Sequence, residues 1–154
     1  MTTTLSTTTH AYAKTPARAP YGRLLLVNLG ATVAAGVATE AWTGVVRAVG
    51  VDLRIGDPFG DPKSAMALPV GACATSIAMC MVLGTAIAVL LNWKAAGPAY
   101  TYVVVASVLT FVSLGAPLVS AGASGATKFT LIVAHLIAAA VIVPVVARCL
   151  SSRR

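Results

Sequence analysis

Apolar residues form four long stretches along the chain, and within them they do not alternate regularly with polar residues. The stretches cover residues 24–46, 65–91, 99–121 and 129–147. Each has about the 20 residues that a helix needs to cross a hydrocarbon core about 30 Å thick. Backbone groups in hydrocarbon must be paired internally, and a barrel would need alternation. The pattern therefore predicts an all-α fold, an integral membrane antiparallel four-helix bundle.

The segments between the stretches are typical of loops, since GDPFGDP, NWKAAGP and GASGATK are rich in Gly and Pro. Residues 1–22 are rich in Thr and lack acidic residues, which predicts a disordered cytoplasmic tail. Residues 23–149 are predicted to form the four-helix transmembrane domain, and residues 150–154 a short basic tail. The first stretch also resembles a signal peptide with a cleavage site near Ala38, but the apolar run that continues beyond it favours a retained helix.

Composition supports a membrane protein. Hydrophobic residues make up 58% of the 154 residues and charged residues only 10%, far from the roughly equal apolar and polar shares of soluble domains. The net charge of +7 points to anionic lipid headgroups, because no motif of a nucleic-acid-binding module occurs. We therefore expect the lipid bilayer as a partner, and no nucleic acid. Another membrane protein or a second copy of the chain is a further expected partner.

The positions of Lys and Arg predict the orientation. An inside N-terminus puts seven of the eleven cationic residues in the cytoplasm: Lys14, Arg18, Arg23, Lys94, Arg148, Arg153 and Arg154. Outside lie Arg47, Arg54, Lys63 and Lys128. Cytoplasmic loops carry the excess of positive charge in membrane proteins. Both termini are therefore predicted to be cytoplasmic, in a multi-pass protein of the plasma membrane.

Polar residues of the four stretches are predicted to lie at one depth. A rise of about 1.5 Å per residue places Glu40 roughly 24 Å above the inner face, and His135 and Ser113 both about 21 Å above it. Thr75 enters the same layer from the second stretch. Arg47, two turns beyond Glu40, is a second possible partner for its carboxylate. These five residues are the candidate ligand or proton site.

The cost of an ionisable group inside a membrane predicts that Glu40 faces the bundle interior. A hydrogen bond from His135 would satisfy both groups and hold a proton between them, as in a proton relay or a pH-sensitive latch. Three interpretations stay open: structural packing, which is favoured, then a ligand or proton site, then catalysis. Gly30, Ala34 and Ala38 form a ridge of small residues that predicts close helix packing.

No sequence motif supports an enzyme. Asp57 and Asp61 in GDPFGDPK suggest a calcium loop only weakly, since the EF-hand pattern is absent and Asp-Pro pairs commonly begin turns. The three cysteines have neither CxxC nor metal-ligand spacing. A phosphate-binding loop, a nucleophile elbow and HExxH are all absent. We therefore expect no catalytic residues, no metal and no cofactor.

Several short motifs resemble one family. Glu40 and Trp42 near the end of the first stretch, VDL after it, SLGAPL in the third and LIVAHLIAAAVIVP in the fourth are similar to an uncharacterised family of small four-span actinobacterial membrane proteins. The resemblance covers roughly residues 24–148. It implies a four-helix plasma-membrane protein without an assigned activity, and it makes Ser113, Pro117 and His135 the stronger site candidates.

The expected function is that of a non-enzymatic membrane bundle which has a structural role or binds a partner or a small ligand. The alternative is a small transporter or a proton-coupled permeation subunit that uses Glu40 and His135.

Overall fold

Helices make up most of the computed structural model, which describes residues 18–151. The helices are α1 (Tyr21–Ala48), α2 (Ala72–Lys94), α3 (Pro98–Ser113), α4 (Gly115–Val119) and α5 (Gly125–Ser151). Two short strands, β1 (Arg54–Ile55) and β2 (Met66–Ala67), pair in antiparallel register between α1 and α2, and Pro62–Ser64 forms a single 3₁₀ turn.

Four helical segments within the described residues are long and apolar enough to cross a membrane. They are α1, α2, the segment Pro98–Val119 that joins α3 and α4, and α5. Large apolar side chains stay exposed on them, for example Val82 on α2 at 74% and Phe111 on α3 at 79%. Such surfaces suit hydrocarbon rather than water. The prediction of four membrane-length helices is confirmed.

The second helix begins later than predicted. The apolar run from residue 65 was expected to be helical, but Met66 and Ala67 form β2 and α2 starts only at Ala72. Pro69 disfavours helical backbone in the residue before it, and Gly71 takes a left-handed conformation with φ of +89°. The helix then continues to Lys94, three residues past the predicted end at residue 91.

The third helix is interrupted where one continuous span over residues 99–121 was expected. Helix α3 ends at Ser113 and α4 begins at Gly115. Pro117 explains the break, because its ring has no N–H for the carbonyl of Ser113 four residues earlier and clashes with that carbonyl. The fourth helix is longer than predicted over residues 129–147, and it continues through Pro144.

The described part of the predicted N-terminal tail is held in place. Ala19 is buried, and its N–H and C=O are both hydrogen bonded to the Asn92 side chain, at 3.0 Å and 2.9 Å. Helix α1 already begins at Tyr21. The prediction of a disordered tail is therefore wrong for residues 18–22, while residues 1–17 lie outside the described residues. Leu150 and Ser151, predicted as C-terminal tail, end α5 instead.

Helix α1 packs against α2 and α5, and α3 packs against α5 and α2. The core at the start of α1 and the end of α5 consists of Leu24, Ala88, Tyr102, Val146, Cys149 and Leu150. The small residues of α1 that are buried are Ala31, Ala35 and Gly36, whereas Gly30 and Ala34 are exposed. The predicted small-residue ridge is therefore wrong by about one helical position.

Two loops join at the end of the molecule opposite the start of α1 and the end of α5. We call residues 49–71 together with residues 120–124 the loop cap. The buried Ser120 hydroxyl accepts from the N–H of Gly56 at 3.3 Å and donates to the C=O of the same residue at 3.0 Å. The Phe59 N–H donates to the Val119 C=O at 3.1 Å. These bonds tie the α1–α2 connection to the α4–α5 connection.

Candidate functional site

The carboxylate of Glu40 is bound by the N-terminus of α2. Its Oε1 accepts hydrogen bonds from the N–H groups of Cys73 at 3.0 Å and Ala74 at 3.1 Å, and its Oε2 accepts from the Gly71 N–H at 3.1 Å. The first N–H groups of a helix have no partner within it, and the helix dipole favours negative charge there. Since Gly71 has no side chain to cap α2, Glu40 of α1 acts as the cap.

Arg47 binds the segment that leads into α2. Its Nη2 donates to the C=O groups of Leu68 at 3.1 Å and Pro69 at 3.4 Å. No ion pair joins it to Glu40 within residues 18–151. Arg47 and Glu40 of α1 thus hold residues 68–74 by their backbone, Arg47 through C=O groups and Glu40 through N–H groups.

The predicted hydrogen bond between Glu40 and His135 is absent from the described residues. His135 Nδ1 lies 2.7 Å from the Leu131 C=O of its own helix. A carbonyl can only accept, so Nδ1 carries the hydrogen, and in the neutral ring Nε2 is then an acceptor. The predicted pairing of Glu40 with His135 is therefore wrong. Both carboxylate oxygens of Glu40 already accept hydrogen bonds from N–H groups at the start of α2, which no side chain of α2 caps.

The two remaining predicted site residues, Thr75 and Ser113, lie in different surroundings. Thr75 is exposed and donates to the Gly71 C=O at 2.9 Å, so it does not join a buried polar layer with the others. Ser113 is half-buried and donates to the Thr110 C=O at 2.7 Å. Of the five candidates, the structure brings Ser113 and His135 to the wall of one cavity.

That cavity, which we call the central cleft, lies among α1, α2, α3 and α5 and has a volume of about 230 Å³. Its lining includes Asn28 on α1, Ser76 and Gly84 on α2, Tyr102 and Ser113 on α3, and His135 on α5. Most of the remaining lining residues are apolar. An apolar cavity with a few polar groups is the usual form of a small-molecule site.

A second, smaller cavity of about 60 Å³ adjoins the first. Thr39 of α1, Cys73 of α2, and Ala134 and His135 of α5 line it. His135 therefore contributes to the walls of both cavities. Ile77, His135 and Ala138 line both cavities, and the imidazole ring is the polar side chain among the three.

Several residues of the cleft were not predicted as site residues. The Asn28 amide donates to the Thr85 hydroxyl, which joins α1 to α2. Thr32 and Thr110 each donate to a carbonyl of their own helix, at 2.9 Å and 2.8 Å. Hydroxyls that bond locally are common in membrane helices, so the sequence does not distinguish these threonines from structural ones. Asn28, a carboxamide within the apolar first stretch, was the clearest available signal.

The chain was compared with protein families, curated proteins and solved structures. Residues 19–152 match the model of a family described as "Family of unknown function (DUF6069)". No curated protein and no solved structure matches the chain.

Proposed function

The chain belongs to the DUF6069 family, whose function is unknown, and on that premise we propose that it is a non-enzymatic multi-pass protein that binds a small, largely apolar ligand in the central cleft. The observation that carries the proposal is the cleft itself, about 230 Å³ in volume and lined from four helices. Apolar molecules partition into the bilayer, and a cleft between membrane helices is open to them from the side.

The topology that we propose is an antiparallel bundle in the plasma membrane with both termini in the cytoplasm. The start of α1 is bonded to the end of α2 through Ala19 and Asn92. The other ends of these helices meet where Glu40 binds Gly71 and Cys73. This reversal supports antiparallel neighbours, and the excess of Lys and Arg at the ends that hold the termini supports their cytoplasmic side.

The geometry favours ligand binding over proton transport. A proton path through Glu40 and His135 would need the carboxylate to exchange protons with the imidazole. Instead, both carboxylate oxygens accept from the α2 backbone, while His135 is directed to the Leu131 carbonyl and lines the cleft. The carboxylate of Glu40 therefore caps the N-terminus of α2 and is not paired with the imidazole ring.

Filling the cleft tests the proposal. Gly84 lines the cleft, and a Cβ atom on it would meet no heavy atom within 4 Å. Gly84→Leu therefore places a side chain in open space, and it also improves helix propensity by about 1 kcal/mol. We expect this variant to bind the ligand about tenfold more weakly. A ligand that can no longer bury two of its methylene groups loses about 1.6 kcal/mol of binding free energy.

The measurement is photolabelling in lipid nanodiscs with a short-chain alkyl alcohol that carries a diazirine, mapped by mass spectrometry. The matched control is Gly30→Leu, since Gly30 is exposed, outside the cleft and equally free of neighbours within 4 Å. The proposal predicts labelling of cleft residues in the wild type and in Gly30→Leu, with loss in Gly84→Leu. Equal labelling of cleft residues in all three proteins would contradict it.

A further inference from the structure

The hydrogen-bond partners around the central cleft limit the chemistry of its ligand. We infer that the cleft selects a neutral apolar molecule that carries a hydroxyl group, and that the hydroxyl donates to Nε2 of His135. The inference rests on the proposed function, because it names the class of molecule that the cleft holds.

The hydrogen bond of His135 determines which of its ring nitrogens is free to bind a ligand. Its Nδ1–H donates to the Leu131 carbonyl at 2.7 Å. The ring is half-buried in α5. The neutral ring has one hydrogen, which Nδ1 already uses, so Nε2 can only accept. No hydrogen bond to Nε2 is found within residues 18–151. A ligand that satisfies this nitrogen must be a donor.

Several hydroxyl groups line the central cleft together with His135. Positions along the helices place Ser76, Ser113 and His135 toward the loop-cap end of the cleft, and Tyr102 and Gly84 toward the other end. Ser113 has donated its hydrogen to the Thr110 carbonyl, so it offers acceptor capacity only. Ser76 is exposed on α2 but lines the cleft, and its hydroxyl, which has no hydrogen-bond partner among the described residues, is able to donate or accept.

A ligand hydroxyl fits this end of the cleft better than other polar groups. Its hydrogen is donated to Nε2 of His135, and its oxygen accepts from the Ser76 hydroxyl. Both side chains thereby gain a hydrogen-bond partner. A ketone, an ester or an ether has no hydrogen to donate. An ammonium group does, but no Asp or Glu lines the cleft to balance its charge, and an unpaired charge in an apolar site is strongly disfavoured.

The test compares three diazirine-bearing probes of one chain length: the alcohol, its methyl ether and its primary amine. On the wild-type protein in nanodiscs we expect the alcohol to label cleft residues about threefold to tenfold more strongly than the ether. This ratio corresponds to the affinity gained from one net hydrogen bond. His135→Leu is expected to remove this preference. His135→Gln retains a carbonyl acceptor and is expected to restore part of it, whereas Ser107→Ala on the exposed face of α3 keeps it in full.

The outcomes separate the two proposals. If alcohol and ether label the cleft equally, and Gly84→Leu abolishes both signals, the cleft binds ligands but the hydroxyl selection is wrong. The selection is also wrong if the amine is preferred, or if His135→Leu retains the preference for the alcohol. If no probe gives labelling that Gly84→Leu removes, the ligand-binding function itself fails.

Discussion

Replacing Glu40 with alanine is expected to lower the free energy of unfolding in detergent by about 2 kcal/mol. The carboxylate accepts three N–H groups at the start of α2. Removal of one capping side chain costs about 0.5 to 2 kcal/mol, and hydrogen bonds to charged groups are stronger than neutral ones. Glu40 is half-buried, so in the variant water can hydrogen bond to some of the freed N–H groups. The expected loss is therefore smaller than the summed free energies of three hydrogen bonds to a charged group. Chemical denaturation followed by circular dichroism measures it.

Two further variants test whether the loss of the α2 cap causes the lower stability of Glu40→Ala. Glu40→Gln retains one carbonyl acceptor but no charge, so it is expected to lose about half as much stability. Asp52→Asn removes an exposed carboxylate of the loop cap and should change stability by less than about 0.5 kcal/mol. Hydrogen exchange should accelerate at residues 71–74 in Glu40→Ala. Unchanged protection of these amides would show that the carboxylate does not cap α2.

Replacing Gly122 with alanine is expected to destabilise the loop cap by about 3 kcal/mol. Gly122 has φ of +65°, and a Cβ atom there would lie 2.6 Å from the Ala65 Cβ and would also collide with the backbone oxygen of Pro62. The left-handed backbone costs an L residue about 1 kcal/mol, and overpacking costs typically 1 to 3 kcal/mol. Residues 120–124 therefore have to separate from the α1–α2 connection. The loss is measured by denaturation and by exchange of the Phe59 and Ala121 amides, which bond across this contact.

Gly50→Ala is the matched control for Gly122→Ala. Gly50 also has positive φ, +88°, but a Cβ atom there would meet nothing within 4 Å. Its substitution isolates the backbone cost, about 1 kcal/mol. If both variants lost the same stability, the close contact of Gly122 with the α1–α2 connection would have no energetic weight, and the packing of the loop cap would be different from the one described.

The four membrane helices follow from hydropathy, but their ends do not. Apolar content alone extended the second span back to residue 65, yet Pro69 and the left-handed Gly71 delay α2 to Ala72. Pro117 lies two residues before the end of the third span, yet the helix breaks at Leu114, between α3 and α4, just ahead of it. In both places local backbone chemistry outweighs the hydrophobic pattern, because proline and glycine change which conformations the chain adopts.

The hydrogen-bond partners of the polar residues were not predictable from the sequence. Thr39 precedes Glu40 by one residue and the Cys73 N–H donates to the Glu40 carboxylate, and both residues line one small cavity with His135. The direction of each side chain around its helix was not predictable from height. The unpaired N–H groups of α2, which bind Glu40, leave no mark in the sequence, because every helix begins with such groups.

The small residues of α1 illustrate the same limit. Gly30 and Ala34 were expected at a helix contact and are exposed, whereas Ala31, Ala35 and Gly36 are buried. Small residues recur so often in this helix that their spacing fits more than one face. The bond from Asn92 to Ala19 was not predicted either, since it joins a helix end to a segment whose composition is typical of a disordered tail.

The central claim is that the cleft lies among membrane-spanning helices and opens to hydrocarbon, and spin-label accessibility at Cys80 tests it most directly. Cys80 lines the cleft, and Cys73→Ala with Cys149→Ala leaves it as the one thiol among the three cysteines of the chain. In nanodiscs the nitroxide should be relaxed by molecular oxygen, which concentrates in lipid, and little affected by a water-soluble nickel chelate. A label on Asp61→Cys in the same background, in the loop cap, should show the reverse. A Cys80 label as accessible to the nickel chelate as the Asp61→Cys label would mean a water-filled cleft and would contradict the account.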